Sequence, residues 1–208
     1  MESTKSFSEI LEKLLSGREL NEEESQFAED MISQQLITPG QIGAYSLAKE
    51  KDWNILEFLC NSPSKVEDLI NSLPADIYKL RPRDDHWSIS EVVGHLADNE
   101  MVNAIRVRYI LTEDAPEMIG YDSDIWDRFI NIDDIHTSLR RWKDLRTNLI
   151  KLAQGLNKED WKREGYLSYR GTESLLNLLG VLAGHDHRHI LQIERIVKML
   201  KEKNHIPY

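Results

Sequence analysis

Two histidines interrupt an apolar helical stripe near the end of the chain, and this feature most limits the possible folds. Leucine and isoleucine recur at steps of three and four from Leu175 to Leu200, which predicts a long amphipathic helix. Positions 185 and 189 fall on this stripe, where leucine would be expected, but both carry imidazole side chains. Because residues four apart project from the same helix face, His185 and His189 can point into one interior space.

This histidine pair has two interpretations. A buried polar ring is unfavourable without a partner, and two neutral imidazoles on one helix face are a common device for binding a metal. The pair is therefore either a set of metal ligands, which we favour, or two core histidines with separate hydrogen bonds. His187 lies between them on another face of the helix and is predicted to face solvent or an interface.

Charge and apolar patterning argue against two classes of partner. The 26 basic and 36 acidic residues give a net charge of −10, spread without a block of like charges, whereas nucleic-acid binding favours a basic surface. No apolar run reaches the length of a membrane span, and the first residues, 1–4, lack the charged-then-apolar pattern of a secretion signal. We therefore expect neither a nucleic-acid partner nor a membrane.

The single cysteine bears on the cellular compartment. Cys60 cannot form an internal disulfide, which fits a reducing cytosol and predicts a cytoplasmic protein. Its apolar neighbours predict a small core residue and not a nucleophile. Only six prolines and ten glycines, together with abundant leucine, glutamate and lysine, predict an all-α chain.

The first 50 residues are predicted to form a small module of three short helices. Capping-box patterns mark each helix start: Ser6 with Glu9, Asn21 with Glu24, and Thr38 with Gln41. Helices this short need to pack on something to be stable. A joint near residues 52–54 predicts two domains, covering residues 1–50 and 53–208.

The amino-acid sequence of this module resembles that of a known helical domain. Residues 7–20 and 34–44 are similar to the opening of anthranilate phosphoribosyltransferases and the related nucleoside phosphorylases. In those enzymes this part serves subunit contacts, while a separate α/β domain with a glycine-rich loop binds the phosphoribosyl group. No such loop follows here, so the resemblance implies a packing or dimerisation module, and with it a homodimer, without the transferase activity.

Four longer helices are predicted in the second domain. They begin at Ser62, Ser88, Asp133 and Thr172 and end near residues 73, 112, 154 and 201. The connection from residue 113 to residue 132 is long, acidic and aromatic, which is typical either of a lid over a pocket or of a simple crossover. Residues 159–171 form another polar connection.

A third histidine lies beside the apolar stripe of the second helix. Alone, His95 would be a hydrogen-bonded core histidine, but with a histidine pair on another helix it becomes the natural third ligand. Asp98, one turn further, either orients His95 or a water at the metal, or is a solvated charge. Gln192, close to His189, either bonds substrate or water in a pocket or is an ordinary polar flank.

Residues 53–201 resemble the DinB/YfiT-like family of metal-dependent helical proteins. The resemblance is carried by residues 81–82, 87–100 and 184–193. It implies an up-down-down-up four-helix bundle with long crossovers, in a bacterial protein. It also implies a metal held by one histidine on the second helix and two on the fourth, and these positions are His95, His185 and His189 here.

Three neutral imidazoles leave a divalent ion with an open coordination position. Such an ion can activate water for hydrolysis or a thiol for transfer, and members of this family include transferases and isomerases that use low-molecular-weight thiols. Zinc or nickel is expected, with iron as an alternative. The prediction is a metal-dependent enzyme acting on a small molecule, with a low-molecular-weight thiol as one candidate partner and with no catalytic base identified. The alternative is a non-catalytic protein whose metal stabilises the bundle.

Overall fold

A computed structural model describes residues 6–50 and 52–203. Within these residues no helix is both long and apolar enough to span a lipid bilayer. The elements in chain order are α1 (Phe7–Leu15), α2 (Glu22–Ser33), α3 (Pro39–Ala48), α4 (Ile55–Asn71), α5 (Ile89–Thr112), the short α6 (Ser123–Trp126), α7 (Ile135–Gln154), β1 (Glu164–Leu167), β2 (Gly171–Ser174) and α8 (Leu175–Glu202).

The four long helices α4, α5, α7 and α8 form a bundle. Helix α4 packs against α7 and α8, and α5 packs against the same two helices, so α4 and α5 lie diagonally opposite each other. The predicted all-α class is confirmed, as is a four-helix bundle that follows a small three-helix module. The polar connection before α8 adds an antiparallel hairpin, in which Glu164 pairs with Ser174.

Capping chemistry places the helix starts. The three predicted boxes of the module form in both directions, as does a fourth at the start of α5, where Ser88 and Glu91 bond each other's backbone. Two predicted caps are wrong by one or two residues. Asp134 caps α7, and Ser174 caps α8 because Thr172 belongs to strand β2.

Helix α4 begins earlier than predicted because Pro63 does not break it. Proline lacks the N–H that would bond the carbonyl four residues back, which here belongs to Leu59. That carbonyl accepts a hydrogen bond from Nη1 of Arg146 at 2.8 Å instead. The helix therefore runs without interruption from Ile55, since a side chain from α7 takes the place of the missing backbone donor.

A layer of buried charge separates two apolar clusters in the bundle. Arg146 of α7 donates to both carboxylate oxygens of Glu100 at 2.9 and 2.6 Å, and to Oδ2 of Asp186 at 2.7 Å. Burial raises the pKa of Asp186 to about 6, although Arg146 acts in the opposite direction. One cluster surrounds Trp142 near the start of α5, and the other packs around Leu179 near the start of α8.

The N-terminal module packs on the bundle of its own chain. Helix α3 lies against α8 so closely that a Cβ on Gly43 would overlap the carbonyl group of Gly184. A third apolar cluster, which includes Phe7 and Val181, joins the two parts. The domain division after residue 50 stays a prediction, and residues 1–5 and 204–208 of the two predicted domains lie outside the described residues.

Cys60 is exposed, so the prediction of a core position was wrong. Its neighbour Leu59 is fully buried and takes the inward face of α4 at this point. Successive residues of a helix project about 100° apart, so the apolar neighbours of Cys60 do not draw it into the core.

Candidate metal centre

Helix α5 supplies His95 and α8 supplies His185 and His189, and the three rings face one another. The Nε2 atoms of His95 and His185 lie 3.0 Å apart, and the ring centres of His185 and His189 are separated by 4.4 Å. One ring nitrogen from each histidine lies within 4.8 Å of the other two. Nitrogens that share an ion at about 2 Å each lie at most about 4 Å apart, so ring shifts of about 1 Å suffice.

The surroundings keep two of these rings neutral. Burial lowers the pKa of His185 well below its ordinary value, and the neighbouring His189 and His95 lower it further. Burial and the proximity of His95 lower the pKa of His189 to about 3. A neutral imidazole offers a lone pair to a metal ion, whereas a protonated one does not. The protein therefore presents His185 and His189 in the protonation state that ligation requires.

Side-chain amides contact the outer nitrogens of these rings. Oε1 of Gln192 lies 2.8 Å from Nδ1 of His189, and Nδ2 of Asn99 lies 3.2 Å from Nδ1 of His185. Contacts of this kind orient a ligand ring and select its tautomer. Sequence reasoning singled out Gln192 but missed Asn99, although its position four residues after His95 places both on one face of α5.

Asp98 lies on the same helix as His95 and is partly buried. Its Oδ1 forms an ion pair with Nη2 of Arg141, on α7, at 2.9 Å. Burial raises the pKa of Asp98, while the proximity of Arg141 and His95 acts to lower it. Asp98 is therefore close enough to His95 to interact with it electrostatically, and its role in orienting His95 stays a prediction.

Two residues before α5 complete the surroundings of the cluster. The indole of Trp87 stacks on the ring of His189, with planes 10° apart and centres 6.2 Å apart, and its centre lies 5.0 Å from that of His95. His86 is half-buried at the edge of the same site, and its Nδ1 lies 2.9 Å from Oδ1 of Asp85. The sequence signal for Trp87 was its place directly before the cap of the histidine-bearing helix.

The cluster opens into a cavity of about 680 Å³. Tyr121, from the long connection after α5, lines it, so this connection covers part of the site. No carboxylate is among its described lining residues, which are mostly polar, basic or aromatic. They include Asn99, Asn103, Arg106, Tyr121, Tyr169, Arg170, Arg188 and Arg195, besides the histidines and Trp87.

The N-terminal module forms part of the cavity wall. Thr38, Pro39 and Gly40, at the start of α3, line the cavity beside the histidines of α8. A Cβ on Gly40 would lie 3.7 Å from the Cβ of His185. The sequence predicted packing or dimerisation for this module, but did not predict that it borders the histidine site.

This donor set fits a divalent transition metal. Among the described histidine, cysteine, aspartate and glutamate residues, one group of three lies close enough together to hold an ion. It consists of His95, His185 and His189. Nitrogen donors suit zinc, nickel and iron, and three protein ligands leave room for a further one from the cavity.

Comparisons with known proteins show which family this chain is similar to. The model of the DinB superfamily matches residues 61–193. YfiT of Bacillus subtilis (strain 168) is 27% identical over 168 residues, which cover 76% of this chain and 93% of that protein. A Bacillus licheniformis relative is 28% identical over 165 residues, which cover 74% of this chain and 91% of the relative. Both relatives are named provisionally as metal-dependent hydrolases.

A solved structure of YfiT from Bacillus subtilis supports the same fold. It superposes with a TM-score of 0.65 at 26% identity, covering 72% of this chain and 86% of that one. It is described as having an unusual four-helix bundle topology. The family model begins at residue 61, so the N-terminal module lies outside it. The resemblance of the module to phosphoribosyltransferases stays a prediction.

Proposed function

Because this chain belongs to the DinB superfamily, we propose that it is a metal-dependent enzyme that hydrolyses a small molecule at the three-histidine cluster. The observation that carries the proposal is the opening of this cluster into a large cavity whose lining includes many polar and basic side chains. A metal that only stabilised the bundle would need no such access. The provisional naming of the relatives as metal-dependent hydrolases points to the same reaction class.

His95, His185 and His189 would hold the ion, with zinc or nickel as the expected metal and iron as the alternative. A divalent ion with three neutral nitrogen ligands polarises a substrate carbonyl and lowers the pKa of water towards ~7. Gln192 and Asn99 fix the directions of the rings on α8 through the outer ring nitrogens.

The residues around the histidines position the substrate. Trp87 stacks on one side of the His189 ring and forms an aromatic wall next to the cluster. The hydroxyl of Tyr121 donates to Oδ1 of Asn99 at 3.1 Å and so connects the covering segment to the site. With this segment on one side and α3 on another, the cavity favours a small molecule over a protein chain.

Thiol transfer is the second candidate reaction. The same open coordination position can bind and activate a low-molecular-weight thiol, and the cavity has room for a thiol together with an acceptor. The third candidate is a non-catalytic bundle in which the metal contributes only stability.

One set of measurements separates these three proposals. Untagged protein is purified, its metal is quantified by elemental analysis, and small esters and amides are assayed before chelation, after chelation and after metal is returned. Hydrolysis that is lost and regained with the metal supports the proposal. Transfer of glutathione or cysteine without hydrolysis supports the second candidate. A metal that raises the melting temperature without any turnover supports the third.

The oligomeric state and the cellular location stay predictions. A homodimer was predicted from the resemblance of the N-terminal module to a subunit-contact domain, and analytical ultracentrifugation tests it. The cytoplasmic location was predicted from the single cysteine, and fractionation of cells tests it.

A further inference from the structure

Helix α5 carries a line of polar side chains that leads from the histidine cluster along one wall of the cavity. His95, Asn99, Asn103 and Arg106 follow one another at steps of four, four and three residues, so they share a helix face. Nδ2 of Asn103 donates to Oδ1 of Asn99 at 3.1 Å, and Nη1 of Arg106 lies 3.5 Å from Oδ1 of Asn103. Eleven residues of α-helix rise about 16 Å, so Arg106 marks the far end of an elongated site.

Arg106 is buried, with 2% of its surface exposed, and among the described residues its hydrogen-bond partners are all neutral. Its Nε and Nη2 atoms donate to the carbonyl oxygen of Ile119 at 3.0 and 2.8 Å, and Nη2 also donates to the hydroxyl of Tyr169 at 3.2 Å. The Tyr121 ring centre lies 5.8 Å away. Among the described residues no carboxylate lies within ion-pair distance of this guanidinium. The long 3.5 Å contact to Asn103 leaves Nη1 weakly satisfied.

The other arginines near the core are neutralised within the chain. Arg146 is as buried as Arg106 and is bound by two carboxylates, those of Glu100 and Asp186. Arg170, which also lines the cavity, is paired with the buried Glu173. Burying a charge without a counter-ion is unfavourable by several kcal/mol. The chain supplies such counter-ions elsewhere, and none of the residues that the structure describes supplies one to Arg106 or lines the cavity with a carboxylate. This contrast indicates that the counter-ion of Arg106 comes from a ligand.

We propose that Arg106 binds the carboxylate or phosphate group of a small anionic substrate. The planar guanidinium suits both oxyanions, and the exposed Arg188 and Arg195 at the same cavity add positive potential. This inference rests on the proposed function and names its substrate class. The substrate has an oxyanion at the Arg106 end and its reacting group at the histidine end.

The test measures anion binding without the metal, because phosphate also binds metal ions directly. Metal-free His185→Ala protein is titrated with inorganic phosphate and with succinate by calorimetry, at constant ionic strength. The same titration is made after adding Arg106→Gln, which removes the charge but keeps amide donors for the Ile119 carbonyl. Arg108→Gln is the matched control, since Arg108 lies on the same helix and is exposed. We expect at least a tenfold weaker affinity with Arg106→Gln and less than a twofold change with Arg108→Gln.

A second variant keeps the test decisive if Arg106→Gln does not fold. Asn103→Asp places a carboxylate beside Nη1 of Arg106 and supplies the missing counter-ion from within the chain. This variant is expected to retain the fold by circular dichroism and to bind phosphate and succinate at least tenfold more weakly. Asn103→Leu loses the same hydrogen bonds from Nδ2 to Asn99 without adding a charge, and is expected to change the affinity less than twofold. Two results would overturn the proposal. One is unchanged anion binding in folded Arg106→Gln or Asn103→Asp, and the other is no anion binding in the metal-free His185→Ala parent.

These measurements are independent of catalysis. If the protein binds anions through Arg106 but hydrolyses nothing, the proposed function fails and the anion site stands. If it hydrolyses neutral esters and the metal-free parent binds no anion, the anion site fails alone. Where both hold, Arg106→Gln raises KM for anionic esters at least tenfold and leaves KM for neutral esters within twofold.

Discussion

His95 and His185 are 90 residues apart in the chain, but their Nε2 atoms lie 3.0 Å apart. Neither ring could reach the other if α5 and α8 were not neighbours in the bundle. The cluster is therefore a product of the tertiary fold, and each helix alone carries only part of a metal site. Two of the three candidate ligands come from one turn of α8, so removing His185 breaks contacts both within α8 and between helices.

Replacing His185 with alanine is expected to abolish metal binding. The two remaining histidines provide too few protein ligands for a tight site, which normally has three or four. We expect the bound metal to fall from about one equivalent to less than a tenth, and metal-dependent turnover to fall at least 100-fold. Elemental analysis and a chelation-and-return assay measure the two effects.

The control for this variant is His187→Ala. His187 lies two residues along α8, and its ring contacts the edge of Phe58 outside the cluster. Metal content and turnover are expected to stay within twofold of the wild-type values. Equal loss of metal in both variants would mean that any disturbance of α8 releases the ion, and the assignment of His185 as a ligand would be wrong.

Acid is expected to weaken the start of α5 through Glu91. Burial alone would raise the pKa of Glu91, but hydrogen bonds from Arg81 and Ser88 outweigh it and hold the pKa at about 2. The unfolded chain binds this proton near pH 4.5, so the stabilisation is complete above that pH and is lost as the pH falls towards 2. Urea unfolding of wild type and Glu91→Gln should therefore differ by about 1 kcal/mol at pH 6 and by only about half of that at pH 3.

Glu113→Gln provides the comparison for this pH effect. Glu113 lies at the other end of α5, where its side chain is exposed. Its difference from wild type in the free energy of unfolding should be near zero at both pH values. A difference for Glu91→Gln that grew on acidification would have the wrong sign and would rule out the ionised capping role.

Local signals in the sequence predicted most of the helices and the histidine set. The capping boxes bond only residues three apart, so their outcome depends little on the rest of the fold. The spacing of His185 and His189 on an apolar stripe likewise needs only helix geometry. For this reason the start of α5 at Ser88 and the side-by-side rings of the pair could be read before any tertiary contact was known.

The remaining features depend on partners that are distant in sequence. Pro63 on its own predicts a helix break. Arg146, 83 residues later, donates a hydrogen bond to the Leu59 carbonyl that the proline cannot bond. Arg106 reads as an ordinary surface charge until the segment that carries Ile119 folds over it. The start of α3 lines the cavity because Gly43 and Gly184, which have no side chains, let the module pack closely on α8. No local pattern contains these long-range contacts.

Replacing Arg146 is expected to destabilise the whole bundle. It would leave the buried carboxylates of Glu100 and Asp186 close together without a counter-charge, and the Leu59 carbonyl without a donor. Breaking a buried ion pair from one side costs about 3–5 kcal/mol. We expect a loss of this size in urea unfolding of Arg146→Met.

Arg140→Met is the control, because Arg140 lies on the same helix and is exposed. It should change the free energy of unfolding by less than about 0.5 kcal/mol. Similar small changes in both variants would contradict the central role of the charged layer.

Replacing Gly184 with alanine is expected to separate the N-terminal module from α8. A Cβ at this position would overlap backbone atoms of Ala44 and Gly40, which cannot yield as a flexible side chain can. The module must then move outward or α8 must bend, and either change displaces the cavity wall formed by Thr38, Pro39 and Gly40. We expect faster amide hydrogen exchange in α1–α3 and a melting temperature lower by several degrees, as for about 1–3 kcal/mol of overpacking.

Gly155→Ala is the matched control, because a Cβ there meets its nearest neighbour at an ordinary 3.5 Å. If Gly184→Ala exchanged amides in α1–α3 at the wild-type rate, the close packing of α3 on α8 would be wrong, and the module would not border the histidine site.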